Sequence, residues 1–234
     1  MTDVPIIDVP DNLVAFRHPM RRFADALRSD RLAKIVAIGS SSTAGREDVV
    51  PYPHRLEMYL RVHYQERFPN LKIDVLNRGK GGEEAGEELA RFERDVIAES
   101  PSLVIWQVGT NAIFHNQNID GVAANIGAGL AQLACHNLDA MLIDPQYVTA
   151  MLLGDKADLS ERMVSLIATV ADDAKVNVFR RWALMRHWHV HNNVALNQMI
   201  DPTDPDKLHQ SDWSMLQFSK ALCGSLTRAA ALMI

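Results

Sequence analysis

The sequence predicts an α/β domain in which a parallel sheet of five strands is covered by helices on both faces. Five short apolar runs recur at 34–39, 73–77, 103–108, 140–144 and 176–179. Segments with helical spacing separate them, and the first three runs break into loops rich in Gly, Ser, Thr and Asn. Strands that alternate with amphipathic helices are joined by right-handed crossovers, which make neighbouring strands parallel.

Leu13, Phe16, Met20, Phe23 and Leu27 form one stripe at three- and four-residue spacing, predicting a helix in an N-terminal extension over 1–31. The remaining 32–234 reads as the core of a single domain. Within it, Ala85, Leu89, Phe92 and Val96 form a helical stripe. Ile119, Val122, Ile126, Leu130 and Leu133 form a second, and Leu159, Met163, Leu166 and Val170 a third. Met215, Phe218, Leu222 and Leu226 predict a last helix directly after Asp206–His209. The segments 48–53, 115–118 and 192–206 carry no periodicity and read as loops. No repeat, low-complexity tract or linker interrupts the chain.

With 234 residues, 47% hydrophobic and 23% charged, the chain can bury a full core. A net charge of -5 gives no broad basic field for a phosphate backbone, so nucleic acid is not an expected partner. Cys135 and Cys223 are the two cysteines, each within a helical apolar pattern. They predict buried thiols rather than a disulfide framework. The start, Met1 to Pro10, lacks a basic stretch followed by a sustained apolar run, and no segment has the length to span a bilayer. A cytoplasmic protein is the expectation.

Two segments far apart in sequence carry the groups of a nucleophilic site: Gly39-Ser40-Ser41-Ser42-Thr43-Ala44-Gly45 and Asp206-Lys207-Leu208-His209. The glycine spacing of the first fails as a phosphate-binding P-loop, because five residues intervene and Arg46 follows. The loop 77–84 has its glycines in the wrong order for a dinucleotide turn, and Glu83 and Glu84 would repel a pyrophosphate. A serine hydroxyl needs a neutral imidazole to take its proton during attack, and His209 is the candidate base. Asp206, three positions earlier, is the candidate carboxylate that orients it. The backbone N–H groups of Ser41 and Gly82 and the Asn111 side-chain amide are candidate donors to an oxyanion, since the first three strands all end at one sheet edge.

These blocks resemble the SGNH (GDSL-type) serine hydrolases. Residues 39–45 are similar to the family's Gly-Asp-Ser-x-Thr-x-Gly block, with Ser41 as nucleophile and Ser40 where aspartate is usual. Residues 77–82 are similar to the second block and 108–112 to the third, with Ala112 replacing an aspartate; 206–209 fits the Asp-x-x-His block. The resemblance implies a flavodoxin-like three-layer α/β/α fold and ester hydrolysis without metal or cofactor. It further implies a small-molecule or carbohydrate ester substrate, short-chain acyl or O-acetyl esters included. The competing reading is a non-catalytic module that holds a small ligand, such as a carbohydrate, at the same edge.

Gln146 and Tyr147, after the fourth strand, are candidates for the cleft wall, as are Arg180, Arg181 and Arg186. The run His187-Trp188-His189-Val190-His191 invites a metal reading if extended, because alternate imidazoles would share a face. It has no acidic or thiol partner nearby, so a surface stretch with Trp188 and Val190 turned inward is the preferred expectation.

Overall fold

The computed structural model describes residues 7–46 and 48–233. Five strands form the sheet: β1 (Leu32–Gly39), β2 (Lys72–Gly79), β3 (Leu103–Gln107), β4 (Asp139–Ile143) and β5 (Asn177–Phe179). Their order is β2-β1-β3-β4-β5 and every pairing is parallel, in agreement with the expected α/β class. Central β3 is buried along its whole length, as a strand covered on both faces must be.

Helices Tyr52–Tyr64 and Asp212–Ala231 pack against each other on one side of the sheet. On the other side Ala85–Leu89, Ile119–Cys135 and Lys156–Asp173 pack in a row. Trp106 of β3 anchors that second layer. Its ring meets Phe92 edge-on at 4.7 Å, and its indole N–H donates to Glu88 at 2.6 Å. Two of the long helices start on side-chain caps: Asn118 accepts from Asp120 and Gly121, and Ser211 accepts from Ser214.

Side chains make contacts at both edge strands of the sheet. At β2, Glu57 accepts the Val75 N–H at 2.8 Å and Arg61 donates to the Ile73 carbonyl at 2.8 Å, the two residues being paired to each other across one helical turn at 3.0 Å. Beside β5, the Asn177 amide accepts from the N–H groups of Arg17 and His18 and donates to the His18 carbonyl. These contacts hold the N-terminal segment against the sheet.

Several expectations change. The stripe from Leu13 to Leu27 forms two helices, Asp11–Val14 and Arg21–Arg28, because Pro19 supplies no N–H and disfavours helical geometry at His18. The stripe from Ala85 to Val96 also divides, into Ala85–Leu89 and Phe92–Asp95. At the break Arg91 turns inward to Glu83 at 2.7 Å and Asp95 at 2.8 Å. The His187–His191 run lies in a helix, Arg181–His191, with Trp188 buried and Val190 exposed. Its alternation imitates a strand, but helical periodicity groups Trp188 with Leu184 and Met185 inside. Cys223 is buried and Cys135 is exposed. A helix over Tyr52–Tyr64 occupies a region partly read as loop. Among the described residues no helix is long and apolar enough to cross a membrane.

Candidate active site

β1 ends at Gly39 and the chain turns at once into the short helix Ser41–Ala44. The turn is held from below by Gln107 at the end of β3, whose carbonyl oxygen accepts the Ser40 N–H at 3.2 Å and the Ser40 hydroxyl at 3.1 Å. Serine at position 40 is therefore fully employed in anchoring the loop. From the side, Gly79 of β2 touches the same helix so closely that a Cβ there would lie 2.1 Å from the Ala44 nitrogen. Only glycine permits that approach.

This support leaves the Ser41 side chain half-buried, 2.9 Å from Nε2 of His209. The opposite ring nitrogen, Nδ1, lies 2.9 Å from Oδ2 of Asp204. Serine, imidazole and carboxylate thus form one continuous chain, contributed by residues 168 and 5 positions apart in sequence.

The carboxylate is Asp204 and not Asp206. Asp206 is exposed, whereas Asp204 is 1% exposed. The loop folds around Asp204: its Oδ2 also accepts the backbone N–H groups of Leu208 at 2.8 Å and His209 at 2.7 Å, and Lys207 takes a left-handed φ of 55° to make that turn. Burial alone would raise the Asp204 pKa, but the N–H donors of His209 and Leu208 and the imidazole outweigh it and hold the group well below the usual carboxylate range. Arg46 adds a third partner, with Nη1 3.1 Å from Asp204 Oδ1 and 2.8 Å from His209 Nδ1. The sequence offers Asp201, Asp204 and Asp206 in one acidic loop. What separates them is which carboxylate meets inward-facing backbone N–H groups.

The loop after β2 runs alongside the serine. A Cβ built on Gly81 would lie 3.8 Å from the Ser41 Cβ, and Gly82, at a φ of 82°, faces open space. Among the described residues the N–H groups of Ser41 and Gly82 meet no protein acceptor. Asn111, 4% exposed at the start of the helix Thr110–Phe114, donates one amide hydrogen to the Glu83 carbonyl at 2.8 Å, fixing its plane and leaving the second hydrogen free of that bond. Burial raises the Glu84 carboxyl pKa, opposed by the N–H groups of Ala112, Ala85 and Asn111, so the same loop grips the start of that helix. Ala112 itself is fully buried, where an apolar side chain needs no partner.

Gln146 does not line a cleft. It is fully buried behind the site, accepting from Thr110 at 3.1 Å and Ser42 at 3.4 Å while donating to the Leu208 carbonyl at 3.1 Å. Thr110 in turn accepts from Gln107 at 3.2 Å, so a relay of buried side chains ties the Ser41 loop to the residue before His209. Tyr147 is half-buried, its ring 4.9 Å from Trp182 and 6.1 Å from His189. Arg181 is fully buried and donates to Gln210 at 3.2 Å. Arg180 and Arg186 line a separate cavity of about 530 Å³ with Glu161 and His187; Ser41, Asn111 and His209 are not among its walls. Among the described residues no cluster of three or more acidic, histidine or cysteine side chains is placed to hold a metal ion.

A family model for the non-GDSL lipase-like family matches residues 7–231. The chain belongs to the non-GDSL lipase-like family. The SGNH-type resemblance of the sequence agrees with that membership and with the fold of solved structures. The acetylxylan esterase Axe2 from Geobacillus stearothermophilus matches with a TM-score of 0.66 at 18% identity, over 85% of this chain and 94% of its own. The acetyl xylan esterase AlAXEase matches with 0.67 at 18% identity, over 82% and 99%. LAE5, an alpha/beta hydrolase from the metagenome of Lake Arreo, Spain, matches with 0.66 at 16% identity, over 86% and 96%. A search of curated protein sequences finds no match.

Proposed function

We propose that this lipase-like family member is a serine esterase that hydrolyses short-chain acyl or O-acetyl esters through an acyl-serine intermediate. The observation that carries the proposal is the continuous chain from Ser41 Oγ through His209 to Asp204, at 2.9 Å for each link. In the reaction, Ser41 Oγ attacks the ester carbonyl carbon while its proton passes to His209 Nε2. Asp204 accepts the Nδ1 proton's hydrogen bond and stabilises the imidazolium. The carbonyl oxygen, now an oxyanion, takes hydrogen bonds from the N–H groups of Ser41 and Gly82 and the free amide hydrogen of Asn111. Collapse expels the alcohol, which leaves with the Nε2 proton. Water then attacks the acyl-serine, gives its proton to Nε2, and the carboxylic acid departs as Ser41 regains its hydrogen.

The names of the structural relatives support an O-acetyl carbohydrate as the substrate class. Two of the solved Axe2 structures are catalytic mutants in which a serine or a histidine is replaced by alanine, the residue types joined here at positions 41 and 209. The test is Ser41→Ala assayed on an aryl acetate and on acetylated xylo-oligosaccharides, with circular dichroism as a check on folding. Loss of turnover on both with an unchanged spectrum is expected. Undiminished turnover sinks the assignment, and failure of a serine-reactive phosphonate to label Ser41 would favour a ligand-binding module.

A further inference from the structure

We infer that Arg91 is a positioning residue of the oxyanion site: through Glu83 it holds the Gly82 N–H and the Asn111 amide, two of the three proposed donors, in register with Ser41. Their role toward an oxyanion rests on the esterase reading, and their being held rests on geometry alone.

The turn that carries Gly82 cannot hold itself. Gly81 and Gly82 have no side chains to pack, and consecutive glycines give the backbone its widest choice of conformations. The turn must therefore be fixed at its two ends. At the first, the Lys80 N–H donates to the Gly39 carbonyl at 2.9 Å, two residues before Ser41. At the second, Glu83 is engaged three times. Its N–H donates back to the Lys80 carbonyl at 3.4 Å, its own carbonyl accepts from Asn111 at 2.8 Å, and its carboxylate pairs with Arg91 at 2.7 Å. A planar amide with one hydrogen committed to that carbonyl has the direction of its other hydrogen set. Displacing Glu83 thus moves Asn111 and the neighbouring Gly82 together.

Arg91 keeps Glu83 in place. Besides the bond from Nε to Glu83, its Nη1 donates to Asp95 at 2.8 Å and its Nη2 to the Gly39 carbonyl at 3.5 Å. One rigid fork therefore spans both ends of the turn, and Asp95 stops its head from rotating away. The Arg91 and Glu83 side chains are 10% and 9% exposed, so little water competes for them. Lys80 also reaches Glu83, at 2.8 Å, but from a side chain 71% exposed, where an ion pair holds weakly. Burial alone would raise the Glu83 pKa, but hydrogen bonds from Lys80 and Arg91 outweigh it and keep the carboxyl ionised. Without the guanidinium, that carboxylate must turn toward water, and the glycine turn follows it.

The test is Arg91→Met in the full chain, with circular dichroism as the check on folding. On an aryl acetate, kcat is expected to fall about 10–100-fold while KM stays within about twofold, because a displaced donor weakens the transition state and leaves ground-state binding nearly untouched. In an Asn111→Ala background the same substitution should cost only about threefold, since one of the two donors it governs is already gone. By NMR without substrate, the backbone order parameter of Gly82 should fall from about 0.85 towards about 0.6. The Asn111 side-chain amide signals, assigned by their loss in Asn111→Ala, should shift. Arg91→Lys keeps the charge but not the fork, and carries the same readings if Arg91→Met does not fold, with a kcat loss of about threefold to tenfold. Unmoved Gly82 and Asn111 signals overturn the inference. So does a loss confined to KM, or one as large with Asn111 absent as with it present. Because the NMR signals need no substrate, an inactive parent protein would sink the esterase reading and leave the positioning of the two donors to be decided by those signals.

Discussion

A carboxylate that orients an imidazole has to be held still itself, and Asp204 is held by two backbone N–H groups of the very segment that carries His209. Asp204→Asn should therefore lower kcat by about 10³–10⁴-fold, while Asp206→Asn, at an exposed site, should stay within about twofold. Steady-state kinetics on a single aryl ester decides between the two. Asn111→Ala is expected to lower kcat by about 10²–10³-fold with little change in KM, since its free amide hydrogen serves the oxyanion more than the ground-state carbonyl. Ser41, Gly82 and Asn111 could be proposed from the sequence because each follows a strand end at short range, and His209 because it stands in an acidic loop just before the last helix. Asp204 was not legible, because three aspartates share its loop and the choice among them is made by a left-handed turn at Lys207 that composition does not encode.

At the scale of elements, the strands were legible to within a few residues, since a parallel sheet buried on both faces must be written in continuous apolar runs. The helix Tyr52–Tyr64 escaped notice for a physical reason. Pro51 and Pro53, which read as loop, stand at its start, where a proline costs no helical hydrogen bond. Gln146 was misplaced into the cleft because a polar residue after a strand is more often exposed than buried. Its burial in the relay from Gln107 and Thr110 to the Leu208 carbonyl makes it a structural link between two loops. Gln146→Leu should destabilise the fold by about 1–3 kcal/mol by stranding those partners, and should lower kcat as the His209 loop loosens. Urea unfolding and initial rates measure the two effects separately.

At the scale of the whole molecule, two buried carboxyls set a pH trend opposite to that of Asp204. Burial pushes Asp144 up to about 7, opposed by the Trp182 N–H and by Arg181, and burial also raises Glu88 well above its ordinary range, opposed by Trp106. Between its ordinary value of 3.8 and about 7, Asp144 keeps a proton in the folded state that the unfolded chain has released. Its contribution is therefore complete below the lower value and is lost as pH rises through the upper one. Asp144→Asn should flatten the decline in the urea midpoint between pH 5 and pH 8, an effect of up to about 3 kcal/mol. Glu88 contributes with the same sign.

The Glu57–Arg61 pair that occupies the Val75 N–H and the Ile73 carbonyl at the middle of the β2 edge has a consequence for how this protein behaves in a crowd. A bare strand at that rim would offer a template on which a neighbouring molecule could dock its own extended segment and pass the template on. With both side chains cut back to alanine, the concentrated protein should gain a propensity for fibrils that bind thioflavin T, even while each monomer keeps its native circular dichroism.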